Sequence, residues 1–416
     1  MNRTLSIVLL LTLAGGSLSA QTNPAPRGAS AKKAAPGASA SRQQAKRKFA
    51  LDVVQMAVAL PQPDPQDRLR VLSSATSVVS PLSSRMARQF TAEGARLEAE
   101  LIASGGRPAV SIFSTGSVDC AVAAQFIDTV PQDAVARAED SLLAAVSVCP
   151  QTTREPLRRK LDAALDIGVV SARPLLALME SFGPSTRWSQ DTFAKMFGSL
   201  PKGPEQLSEA PNYAAMLIQM APHVDKDIAQ DAGINFLEWL GQFEPGNQRN
   251  LAVNMAMGVL RDTLGEQKLQ EALQSNVVAQ GVARTEGQPG EIEHPEEESV
   301  SVLEAMDAKG DQSERLEKLP SSLRAREAAA HGFATGTAGD RKQADRYFDI
   351  AYSALDEVWS ARTPEKNVPA VVEEVSEAAA HVDAVAALRR AQKLADPSAQ
   401  AISMLAVARV VLGSQN

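Results

Sequence analysis

Aromatic residues, cysteines and histidines are scarce in this sequence. Only 4% of the 416 residues are aromatic, and there are two cysteines and four histidines. Two cysteines exclude a disulfide-rich scaffold, and so few aromatic rings argue against a sugar-stacking surface. The formal net charge of −7 argues against nucleic acid as the main partner. With 44% hydrophobic and 22% charged residues, the chain nevertheless has the composition of a folded protein.

The motifs of the common enzyme classes are also missing. There is no Gly-x-Gly-x-x-Gly phosphate loop, no Gly-x-Ser-x-Gly nucleophile elbow and no His-Glu-x-x-His zinc motif. His223, His294, His331 and His381 are isolated from one another in sequence. We therefore expect no catalytic residue, no cofactor and no metal. The alternative is an exported hydrolase whose site is gathered from distant helices, with Glu238 and the histidines as first candidates.

The N-terminus has the layout of a secretory signal peptide. A single positive charge at Arg3 precedes the apolar run Leu5–Leu13, and small residues follow up to Ala20. The apolar run is roughly half as long as a membrane-spanning helix needs. We therefore expect residues 1–20 to be removed on export and no segment to span a membrane. The mature protein is expected in a periplasm or outside the cell.

A linker rich in Ala, Pro, Ser and Lys follows at residues 21–48. It contains no large apolar residue, so burial cannot offset the entropy lost on ordering, and we predict that it is disordered. Seven of its residues are basic and none is acidic. The basic residues are Arg27, Lys32, Lys33, Arg42, Lys46, Arg47 and Lys48. Such an arm is either merely solvated or makes weak contact with anionic envelope components such as phospholipid head groups.

Apolar residues from Phe49 onward recur at helical spacing almost throughout. In the stretch 371–386, for example, they are Val371, Val375, Ala378, Val382 and Val385. Each stripe is wide enough to need a neighbouring helix. The only strand candidate is the short segment Val110–Phe113. We therefore predict an all-α fold in which antiparallel helical hairpins stack in sequence, as in an α-solenoid.

Capping residues mark where these helices begin, since a proline at the first helical position costs no hydrogen bond. The cap–proline pairs are Asp64-Pro65, Ser80-Pro81, Thr363-Pro364 and Asp396-Pro397, and the capping boxes are Asp311 with Glu314 and Asp340 with Gln343. One interruption, residues 284–298, combines turn residues with acids and has no apolar period. We predict an acidic loop there, between helical domains at 49–283 and 299–416.

Residues 325–358 resemble one tetratricopeptide unit. Gly332 stands where that repeat places its first-helix glycine, and Ala344, Phe348 and Ala351 reproduce the spacing of its second helix. The departures from the repeat are Ala328 for the bulky first position, His331 for the leucine, Thr335 for the tyrosine and Asp356 for the closing proline. The resemblance implies a TPR-like helical hairpin whose four matching residues pack together, in a module that binds peptides or partner proteins.

The two cysteines, Cys120 and Cys149, open and close two successive predicted helices, 118–128 and 134–148. The outer ends of an antiparallel hairpin lie close together, and export would place both thiols in an oxidising compartment. A disulfide is therefore favoured over two free buried thiols. Closing a loop of about 30 residues stabilises the fold by roughly 3.5 kcal/mol in the chain-entropy model.

The sequence as a whole favours an exported, non-enzymatic helical-repeat scaffold. Capped helices with short connections, together with the missing catalytic motifs, indicate that it binds another protein or an envelope component by surface complementarity. The sequence does not identify that partner.

Overall fold

The computed structural model describes most of the chain downstream of the predicted signal peptide. The described residues are 36–115, 119–169, 171–200, 204–244, 246–275, 310–362 and 367–413. The predicted signal peptide at 1–20, the acidic loop at 284–298 and His294 lie outside these ranges. So does the predicted cap Thr363.

The described residues form α-helices joined by turns and short 3-10 segments, with no strand among them, so the all-α prediction is confirmed. The helices of the N-terminal half are α1 Pro36–Ala59, α2 Pro65–Val79, α3 Ser84–Ala103, α4 Cys120–Thr129, α5 Glu139–Val148, α6 Pro150–Asp166, α7 Ala172–Phe182 and α8 Arg187–Gly198. Those that follow are α9 Ala210–Met220, α10 Lys226–Gly241, α11 Asn247–Leu264, α12 Glu266–Ser275, α13 Ser313–Leu316, α14 Ser321–Thr337, α15 Arg341–Ser360, α16 Val368–Ala391 and α17 Pro397–Gly413. Within the described ranges, no helix is both long and apolar enough to cross a membrane.

Helix α1 begins earlier than the sequence pattern indicated. The linker was predicted to extend to residue 48, but residues 36–48 are already helical. Alanine, glutamine, lysine and arginine are all good helix formers. A helix anchored by the buried residues Ala50, Val53 and Val54 therefore extends backwards through them without needing large apolar side chains. Of the described residues, 36–43 belong to a separate unit, apart from the compact unit Gln44–Asn416.

Two apolar cores lie within the unit Gln44–Asn416. The first core is built from α2–α12. The second is built from α13–α17 together with α1, α2 and α3. Helix α2 serves both, since Leu69 and Leu72 pack in the first core while Val71 and Ala75 pack in the second. An apolar stripe shows that a helix needs a neighbour, but not which neighbour it finds.

Successive helices of the C-terminal half pack as hairpins. Helix α14 packs along α15, and α16 packs along α17. Helix α14 also contacts α16, and α17 packs against α2. An ion pair strengthens the connection to α2, because the Arg362 guanidinium binds both carboxylate oxygens of Asp67 at 2.8 and 2.9 Å.

The predicted helix caps are confirmed at three positions. The carboxylates of Asp64, Asp340 and Asp396 accept backbone N–H bonds from the first turns of α2, α15 and α17. The prediction was wrong at Ser80, which follows the last residue of α2, while Ser83 caps α3 instead. At α13, the Asp311 carboxylate accepts the N–H of Ser313.

The cysteine prediction is matched by the structure. The sulfurs of Cys120 and Cys149 lie at bonding distance, and their Cα atoms are 5.4 Å apart. Cys120 is the first residue of α4, and Cys149 joins α5 to α6. The second predicted helix begins at Glu139 rather than at residue 134, because residues 132–134 form a separate 3-10 turn.

The predicted strand at Val110–Phe113 is absent, because Ile112–Thr115 form a 3-10 turn. The backbone N–H of Ile112 donates to the Glu98 carboxylate at 3.0 Å, which replaces the strand partner that a ladder would have supplied. Ile112 also packs directly over Gly94 of α3, where a Cβ atom would lie 2.7 Å from its Cδ1. Contacts to α3 therefore fix this segment.

Candidate functional site

The four residues that carry the repeat resemblance lie in one hairpin. Gly332 of α14 faces Phe348 of α15, and a Cβ on Gly332 would lie only 2.9 Å from the phenyl ring. Ala344, Phe348 and Ala351 are all buried in the second core. The glycine therefore permits the close helix approach that the resemblance implies. Membership of the repeat family stays a prediction.

Among the described hydrolase candidates, Glu238, His331 and His381 lie on three different helices, α10, α14 and α16. Glu238 is exposed on α10, in the part of the chain that forms the first core. His331 is buried beside Tyr347 with ring centroids 5.3 Å apart, and burial lowers the pKa of its imidazole. His381 is exposed on α16. Within the described ranges, no group of three His, Cys, Asp or Glu side chains is arranged to hold a metal ion.

Helix α16 is broken at Asp383, where the backbone leaves the helical region at φ −154° and ψ 99°. The Asp383 carboxylate accepts the N–H groups of Val385 and Ala386, each at 3.0 Å, as an N-cap does at the start of a helix. The apolar stripe predicted through 371–386 is therefore interrupted. Val385, expected on the buried stripe, is 52% exposed. In the sequence, the break is indicated by Asp383, a residue type that caps helices, within the apolar stripe 371–386.

An open, mostly apolar groove lies beside this break, with a volume of about 510 Å³. Three helices supply its walls. The lining residues are Ala45, Lys46 and Phe49 from α1, Ala380, His381, Ala384 and Val385 from α16, and Val410 and Val411 from α17. The sequence did not predict this groove. The apolar stripe of each helix shows which side is buried, but not that three helices leave a gap between them.

Lys46 of α1 lines the groove, and the exposed residues Arg47 and Lys48 follow it in sequence without lining the groove. The carboxylates Glu373 and Glu377 of α16 pair with Arg409 at 2.9 and 2.7 Å. The lining of the groove is therefore mostly aliphatic, with Lys46 on its α1 side.

Glu98 is the most unusual ionisable group of the first core. It has no exposed surface, and its Oε1 has no hydrogen-bond partner. Burial raises the pKa of the carboxyl to about 6, opposed in part by hydrogen bonds from Ser141 and Ile112. A carboxyl with a raised pKa can serve as a general acid. With no exposure, however, Glu98 cannot reach a substrate.

The chain matches no protein-family model, no curated protein and no solved structure. The lining of the groove is mostly apolar, with Val385 exposed and Lys46 at its α1 side. Exposed apolar patches with polar rims are typical of interaction sites.

Proposed function

We propose that this protein is an exported, non-enzymatic helical-repeat scaffold that binds a segment of another protein in the groove between α1, α16 and α17. The observation that carries the proposal is the exposed aliphatic lining, with Val385 at 52% exposure. Leaving such a surface in water is unfavourable, and a partner that covered it would gain the corresponding hydrophobic free energy.

The partner that fits best is an amphipathic helix with acidic flanks. The groove is open to solvent, so a small apolar ligand would remain partly in water, whereas a helix would cover more of the lining. Ala45 and Phe49 are four residues apart on α1, and such a ridge can pack against the side chains of a docked helix. Lys46 in the lining, with Arg47 and Lys48 next to it in sequence, favours acidic side chains on the partner.

Two features support the proposals that the protein is exported and that its hairpins form a solenoid. The bonded cysteine pair suits the oxidising compartment that export through residues 1–20 would provide. The hairpins α14–α15 and α16–α17 follow one another as repeat units do, which supports a solenoid-like arrangement. The seven basic residues within 21–48 would add weak attraction to anionic envelope components.

Peptide binding tests the proposal. The probe is a fluorescein-labelled helical peptide with leucine at every third or fourth position and glutamate elsewhere, and its affinity is measured by anisotropy. We expect Val385→Asp and Ala384→Phe to weaken binding by about tenfold or more, which is about 1.4 kcal/mol. The peptide with lysine in place of glutamate should bind more weakly than the acidic one.

The matched control is Ile167→Asp, which alters an apolar residue of similar exposure, 57%, at the end of α6. It should leave the affinity unchanged. Equal affinity for all variants, or no binding of the acidic peptide at all, would contradict the proposed function.

A further inference from the structure

We infer that the break in α16 is a built-in device that sets the shape of the groove, with Asp383, Arg341 and Gly336 as its positioning residues. The inference rests on the proposed function, since it concerns the same groove. It assigns roles to three residues that do not line the groove themselves.

The hydrogen-bonding groups released by the break are satisfied by particular side chains. Helix breaks leave backbone N–H and C=O groups without their usual partners. Here the Asp383 carboxylate takes the N–H groups of Val385 and Ala386 at 3.0 Å. On the other side, the Arg341 guanidinium donates to the carbonyl oxygen of Val382. The break is therefore supported from two helices.

Helix α14 provides a third support through a steric fit. Gly336 lies against Val382, and a Cβ at Gly336 would lie 2.5 Å from Cγ1 of that valine. Any side chain at Gly336 would thus displace the residue that immediately precedes the break. Val382 is held between the α14 backbone and the Arg341 guanidinium, so the end of the first half of α16 has a fixed position.

The second half of α16 is held by separate contacts. The Arg390 guanidinium pairs with Asp345 and Asp349 of α15, each at 2.8 Å. The backbone angles at Asp383 therefore decide how the two anchored halves of α16 are oriented relative to each other.

The groove lining lies on both sides of the break. Ala380 and His381 precede Asp383, whereas Ala384 and Val385 follow it. In a continuous helix these four residues would share one face. Their arrangement against Val410 and Val411 of α17 consequently depends on the break. Removing the support of the break should change the groove without altering any lining residue.

The decisive variant is Asp383→Ala, which removes the cap. We expect it to weaken binding of the acidic leucine–glutamate peptide by about tenfold, and to increase amide hydrogen exchange at Val385 and Ala386. Asp383→Asn should restore most of the affinity, because asparagine caps nearly as well as aspartate. A role in stability alone would not require this rescue of binding.

Asp396→Ala is the matched control, because Asp396 caps α17 in the same way, accepting the N–H groups of Ser398 and Ala399, and does not line the groove. It should shift the urea midpoint about as much as Asp383→Ala and leave the affinity unchanged. If Val385→Asp abolishes binding while Asp383→Ala does not weaken it, the inference is overturned and the proposed function stands. If neither variant affects binding, the proposed function fails as well. Unchanged amide exchange in Asp383→Ala would also overturn the inference.

Discussion

The carboxylate of Glu98 accepts a hydrogen bond from the backbone N–H of Ile112 at 3.0 Å, inside the first core. This contact joins α3 to the 3-10 turn Ile112–Thr115. The causes that act on the Glu98 pKa are burial and hydrogen bonds from Ser141, Ile112 and Ser111, with no cation among them. The carboxyl therefore favours its neutral form more strongly in the folded protein than in the unfolded chain.

The stability of the protein should depend on pH through Glu98. Its folded pKa, about 6, lies above the ordinary glutamate value of 4.5, so the stabilisation is fully present below about pH 4.5 and is lost as the pH rises through 6. The loss is on the order of 2 kcal/mol. We expect Glu98→Gln to remove this part of the fall in unfolding free energy between pH 4 and pH 8, as measured by urea denaturation. Glu100→Gln, on the exposed side of the same helix, is the control; if it flattens the profile equally, Glu98 is not the cause.

Loss of the disulfide should destabilise the first core. Replacing both Cys120 and Cys149 by serine is expected to lower the unfolding free energy by about 3 kcal/mol, because the unfolded chain regains the entropy of an open loop. Urea denaturation measures the change. Reducing agent should destabilise the wild type but leave the double variant unaffected. Two free thiols in the unreduced, mature protein would contradict the prediction.

Gly332→Ala should loosen the α14–α15 hairpin. The added Cβ would lie 2.9 Å from the ring of Phe348, so we expect a loss of about 1–3 kcal/mol from overpacking. Gly258→Ala is the matched control, because Gly258 lies within α11 with open space around its Cα. There the same substitution should stabilise the protein by about 0.5–1 kcal/mol. Thermal unfolding distinguishes the two. Combining Gly332→Ala with Phe348→Leu should recover part of the loss.

The ion pair between Arg362 and Asp67 should matter more than a surface pair. Asp67 is only 5% exposed, and Arg362 also lies 4.5 Å above the ring of Trp359. We expect Arg362→Ala to cost about 1–3 kcal/mol, because a nearly buried carboxylate loses its partner. Arg96→Ala breaks the exposed pair with Glu100 and should cost less than about 0.5 kcal/mol. Equal losses in urea denaturation would show that the Arg362 pair is an ordinary surface contact.

Local features of this fold could be predicted from the sequence where the cause is itself local. The caps at Asp64, Asp340 and Asp396 depend on a few neighbouring residues, and the structure places each side chain on its helix end. The close approach at Gly332 likewise required only two helices in sequence. The pairing of Cys120 with Cys149 followed from having two cysteines at helix ends.

The groove and the division of the cores depend on contacts between distant residues. The break in α16 needs Arg341 and Gly336, more than forty residues away from Asp383, to be brought beside it by α14 and α15. The spacing of apolar residues within 371–386 does not indicate that Arg341 and Gly336 must lie beside the break. The packing of α2 against α17 also joins residues from opposite ends of the chain. The apolar stripe of a helix shows how much of its surface is buried, but it does not identify the helix that covers it.

Helix α2 contributes residues to both cores and therefore couples their unfolding. Leu69 and Leu72 can leave the first core only if Val71 and Ala75 leave the second. Unfolding of α2 would expose apolar side chains of both cores to water at once. The two cores should accordingly unfold together, in one cooperative transition. A shortened chain starting at α13 would lack the residues of α1–α3 that complete the second core, so its apolar side chains would be exposed to water.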